Sequence, residues 1–121
     1  MIKTTYDQKR NTVVLEFWGK IDAAEAQQLL TDVQKTIPQD RKDFKVLTDL
    51  SGVEALDPAI TAWIKKLMDF LNERGVAEVI RVIPDPAQDI GLNILSLFHY
   101  SKKVQFATVE TREEAEARLG D

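Results

Sequence analysis

The chain has 121 residues, 44% of them hydrophobic and 30% charged, a balance that suits one soluble domain with a single core. With 16 Lys+Arg against 20 Asp+Glu the formal net charge is -4, so no global field favours nucleic-acid phosphates or an anionic membrane. The absence of cysteine excludes a disulfide framework, thiolate metal sites and a thiol nucleophile. No apolar run approaches the roughly 20 residues of a membrane span, and Met1-Ile2-Lys3-Thr4-Thr5 has no signal-peptide pattern. A soluble, cytoplasmic protein is expected.

At the start, Ile2, Thr4 and Tyr6 alternate with Lys3, Thr5 and Asp7, polar residues 8–11 follow, and Thr12 to Trp18 is β-rich. That pattern predicts a hairpin. After Gly19 the period changes: Ala26, Leu29, Leu30, Val33 and Ile37 recur at helical spacing. Asp22 with Glu25 is a capping pair for that helix, and Pro38 closes it. Phe44 to Leu50 is short and apolar, the mark of an interior strand, and Ser51 to Leu56 is expected to be a connection.

The second helix has the sharpest punctuation. Asp57 can accept from free backbone N–H groups, Pro58 fits the first helical position, and Gly75 stands where a left-handed cap is wanted. Ile60, Ile64, Leu67, Met68 and Leu71 form its buried stripe, with Trp63 and Phe70 on one shoulder. Ala77 to Ile83 predicts a strand ended by Pro84 and Pro86. A helix is expected over 87–100, then a short strand at Val104 to Ala107. Thr111 with Glu114 caps a last helix through Leu119. The order is β-β-α-β-α-β-α-β-α, an α/β arrangement with a mainly parallel sheet of about five strands, an antiparallel edge and flanking helices. No linker, repeat or low-complexity stretch divides it, so residues 1–121 are expected to form one domain.

Few residues suggest chemistry. Asp49, Glu54 and Asp57 come nearest to a metal cluster, but capping and solvation explain them more simply. One histidine, His99, cannot build a zinc site. Ser96 stands three residues before it, a spacing that suits a hydroxyl bonded to its own helix better than a nucleophile. Glycine-rich phosphate loops and a Gly-x-Ser-x-Gly elbow are both missing. No cofactor is expected, and an enzyme would need Asp57 or Glu54 to work in a pocket. The helix over 87–100 is apolar all round: Leu92 and Leu95 point largely away from Ile90, Ile94, Leu97 and Phe98. Such a helix is either buried on both sides or offers a surface to a partner, together with Trp63 and Phe70.

Gly19-Lys20-Ile21-Asp22 and, more strongly, the run from Thr48-Asp49-Leu50-Ser51 to Leu56-Asp57 resemble the STAS domain, the family of bacterial anti-sigma-factor antagonists of the SpoIIAA kind. Ser96 to Phe106 and Thr111 to Ala115 resemble its last helix–strand–helix portion, so the likeness spans nearly the whole chain from Thr12. The resemblance implies the SpoIIAA-like fold and a small switch or docking module with a kinase-like anti-sigma partner. In phosphorylated members the Asp is followed by Ser-Ser-Gly or Ser-Thr-Gly; here Pro58-Ala59-Ile60 follows Asp57, and neither Pro58 nor Ala59 can accept phosphate. The expectation is a non-catalytic interaction module that binds a protein partner through Ser51, Asp57, Pro58, Ala59, Trp63, Leu92 and Leu95. A homodimer through the same apolar surface is also expected to be accessible. A small-molecule or lipid-binding domain, with an apolar groove between helix and sheet, is the alternative.

Overall fold

The computed structural model describes residues 1–83 and 103–120. β1 (Ile2–Asp7) and β2 (Thr12–Ile21) form the predicted antiparallel hairpin, in register from Ile2↔Phe17 to Asp7↔Thr12. Its turn ends on Asn11 at φ 49°, a left-handed position that Asn tolerates better than most residues. α1 (Ala23–Thr36) starts where its sequence says, because the Asp22 carboxylate accepts the Glu25 N–H at 2.9 Å.

β3 (Lys45–Leu56) leads through a 3₁₀ turn at Pro58–Ile60 into α2 (Thr61–Arg74). Gly75, at φ 90°, closes α2 in the left-handed conformation its Cα permits. β4 (Glu78–Val82), β5 (Gln105–Val109) and α3 (Arg112–Leu119) complete the described elements. Thr111 caps α3 by accepting the Glu114 N–H at 3.2 Å, again the predicted pairing.

The sheet order is β1-β2-β3-β4-β5, parallel from β2 onward. Period-two alternation divides its apolar residues between two layers. Val13, Leu15, Phe17, Val46 and Val79 face α1 and α2, where Ala26, Leu29, Val33, Leu67, Met68 and Leu71 close the larger core. Val14, Leu47, Ile80 and Val82 face the other way, under Ala115 and Leu119 of α3.

One expectation is corrected. Ser51 to Leu56 is strand, not a connection. β2 runs on past Trp18 to Ile21, and its extra length offers backbone partners: Trp18↔Gly52, Gly19↔Val53, Lys20↔Ala55 and Ile21↔Leu56. The helix predicted over 87–100, with Leu92, Leu95, Ser96 and His99, lies outside the described residues.

Candidate functional site

The projecting end of β3 builds the site. Pairing between β3 and β4 stops at Asp49↔Val82, whereas pairing with β2 continues to Leu56 across register shifts at Glu16/Trp18 and Gly19/Lys20. Such bulges re-aim a strand end. The Asp57 N–H donates to the Ile21 carbonyl at 3.0 Å, so the last rung of this ladder fixes the entry to α2.

Asp57 then caps the turn: its Oδ1 accepts the Ala59 N–H at 2.9 Å, and its carbonyl accepts the Ile60 N–H at 3.0 Å. Pro58 needs no donor at this position and fixes its own φ. Ile60, only 7% exposed, anchors the turn in the core, while Asp57, Pro58 and Ala59 are all exposed. The result is a rigid, outward-facing turn of defined shape. Glu54 is exposed as well, and Asp57 is occupied as a cap, so neither carboxylate sits in a desolvated pocket.

The predicted residues that the structure describes differ in their surroundings. Ser51 is exposed, but its hydroxyl and its N–H both donate to Asp49 Oδ1, at 2.5 and 3.0 Å. This ties Ser51 to the α3 side of the sheet. Trp63 is half-buried against the larger core, with the Lys66 ammonium 4.3 Å from its ring centroid. Leu92 and Leu95 lie outside the described residues. Asp57, Pro58 and Ala59 are consecutive and all exposed, so they present one continuous surface at the turn.

A charge cluster at the start of α3 escapes sequence reading. Arg112 lies 3.2 Å from Asp49, 3.7 Å from Glu16 and 2.9 Å from Glu116. Arg10 bridges Glu116 and Asp7 at 2.5 and 2.7 Å. Asp49 is not simply solvated, as the sequence suggested, because its side chain is only 13% exposed. Burial pushes its carboxyl up, but the hydrogen bonds from Ser51 and Arg112 outweigh that and hold it below the usual carboxylate range. Hydrogen bonds from Arg10 and Arg112 likewise lower Glu116, and the Arg10 side chain lowers Asp7.

Carboxyls depressed in the folded state contribute stability that is complete above their unfolded pKa of about 4 and fades as pH falls through the folded values. Denaturation midpoints are therefore expected to be level from about pH 7 to 5 and to drop below about pH 4. Arg112→Ala is expected to lower neutral-pH stability by about 1–2 kcal/mol and to flatten the acid limb. A limb as steep as that of the unsubstituted chain would show that the cluster is not responsible.

A cavity of about 70 Å³ lies between α2 and the sheet, walled mostly by apolar side chains including Leu15, Leu50, Ile60, Ile64 and Met68. Among the described residues no three His, Cys, Asp or Glu side chains are placed to hold a metal ion. No described helix is long and apolar enough to cross a membrane.

An opening hairpin, a parallel continuation and helices on both faces of a mixed five-strand sheet define the SpoIIAA-like α/β fold. The chain belongs to the STAS domain family, whose model matches residues 3–115. Solved structures that share the fold include three of similar length. A DUF3478-family protein from Shewanella loihica, described as having a SpoIIAA-like fold, is 14% identical with a TM-score of 0.74; the match covers 98% of this chain and 92% of that one. The anti-sigma factor antagonist SpoIIAA in its unphosphorylated form is 16% identical with a TM-score of 0.65, over 98% and 97% of the two chains. An anti-sigma factor antagonist from Mycobacterium paratuberculosis is 21% identical with a TM-score of 0.60, over 100% and 96%. No curated protein sequence gives a match.

Proposed function

We propose that this chain is a non-catalytic, cytoplasmic regulatory module that docks a protein partner through Asp57, Pro58 and Ala59 and the start of α2, without phosphorylation at that turn. The observation that carries the reading is an exposed, capped turn that has no hydroxyl at Pro58 or Ala59. A turn so constructed offers a fixed shape, and a preorganised surface binds with less ordering cost. Two of the solved structures are anti-sigma factor antagonists, so the partner class carried over is an anti-sigma-type regulator of bacterial origin.

Incubation with anti-sigma kinases from the source genome and ATP is expected to leave the intact mass unchanged while a complex forms. Ala59→Glu, which places a bulky charge on the exposed turn, is expected to weaken that complex about tenfold or more. Stoichiometric phosphate on the chain, or undiminished binding by the variant, would overturn the reading.

The cavity under α2 favours a second reading, a domain for a small apolar ligand. Its 70 Å³ lies well below the roughly 300–1,000 Å³ of ordinary ligand sites, so it suits a molecule of few atoms rather than an acyl chain. Native mass spectrometry of the purified protein separates the two readings: a retained apolar molecule supports the ligand domain.

A further inference from the structure

β1 is an edge of the sheet, paired among the described residues with β2 alone. The Trp18 N–H donates to the Met1 carbonyl at 3.0 Å, which makes Met1 and Trp18 a hydrogen-bonded pair. Alternation along an antiparallel ladder then turns the backbone groups of Lys3, Thr5 and Asp7 toward β2. Those of Ile2, Thr4 and Tyr6 point outward. Six extended residues with no proline, glycine or bulge form an edge able to accept another strand, and such edges are usually blunted.

The charges on this edge choose its partner. In an antiparallel arrangement about a two-fold at Thr5, Lys3 stands opposite Asp7 of a second copy, and Thr5 opposite Thr5. Thr4 and Tyr6, the residues with outward backbone groups, then meet as hydrogen-bonded pairs. A two-fold at Lys3, or parallel pairing in register, would instead set like charges together. Lys3 is exposed and has no ion-pair partner among the described residues, since Glu16, its neighbour across the hairpin, faces Arg112 at 3.7 Å. Asp7 bonds Arg10 at 2.7 Å but keeps a side chain 30% exposed, with lone pairs left for an ammonium.

We propose that β1 pairs with β1 of a second copy of this chain, antiparallel about Thr5, joining the two five-stranded sheets. This surface is separate from the Asp57 turn, so the proposal goes beyond the docking reading and either can fail alone. Two short strands bury less than a stable interface requires, which makes the dimer reversible and dependent on concentration.

The chain has no cysteine, so Thr5→Cys introduces a single thiol on the two-fold. Opposed residues in a non-hydrogen-bonded pair have Cα atoms about 4.5 Å apart, within disulfide reach. Under mild oxidation T5C is expected to form a disulfide dimer quickly. Adding K3D or D7K should slow the reaction about tenfold or more, and mixing T5C/K3D with T5C/D7K should restore it, because each supplies the charge the other lacks. K3D leaves the Asp7–Arg10 pair intact and is informative even if D7K unfolds. Cross-linking no faster than that of Q27C, on the exposed face of α1, or undiminished by K3D, would overturn the proposal.

Discussion

Phe44→Ala is expected to lower the free energy of unfolding by about 3–5 kcal/mol, read as a shift of the urea midpoint at constant slope. Among the described residues Phe44 is the largest fully buried side chain, at 0% exposure. It lies immediately before β3, and its carbonyl accepts the Ala77 N–H at 2.8 Å, just before β4 begins. Asp43, at φ 54°, donates its N–H to the Gly75 carbonyl at 3.0 Å. The ring is thus gripped where two strands start and α2 ends, and these backbone bonds limit how far the walls can close on the space it leaves. Poor collapse puts the cost near the top of the range for such truncations. A loss under about 1 kcal/mol would mean that the site relaxes freely, contrary to the packing described.

Local chemistry was what the sequence displayed best. Asp22 with Glu25, Gly75, and Thr111 with Glu114 each act within one turn of chain, and each does what its position predicts. The split of Val13 and Val14 between the two layers follows from strand alternation along β2. Ser51 to Leu56 carries no clear strand signal, because that segment has little apolar alternation and becomes strand through pairing with residues of β2 more than thirty positions earlier. Arg112 and Asp49 are joined only after the chain returns across the sheet as α3, so no spacing signals their contact. For the site, the Asp-Pro-Ala turn was legible as a cap, whereas the Asp49 carboxylate that holds Ser51 owes its burial beside Arg112 to the three-dimensional position of α3.

That non-local ladder is where a second large effect is expected. Gly52→Val should cost about 2–3 kcal/mol, with Gly52→Ala intermediate. A Cβ at Gly52 would lie 2.8 Å from the Trp18 Cβ and 3.1 Å from the Phe17 carbonyl oxygen. These are backbone-anchored neighbours rather than the end of a flexible side chain, so β2 and β3 must part at the bulge. The disturbance falls upstream of Lys20↔Ala55, Ile21↔Leu56 and the Asp57 N–H bond to Ile21, the rungs that hold the turn over residues 57–59. Faster hydrogen exchange is therefore expected across residues 53–59 in G52A even where the larger core stays protected, together with weaker partner binding. Equal stability and unchanged exchange in both variants would show that the projecting strand end does not rely on this close approach, and that the turn is held by its own cap alone.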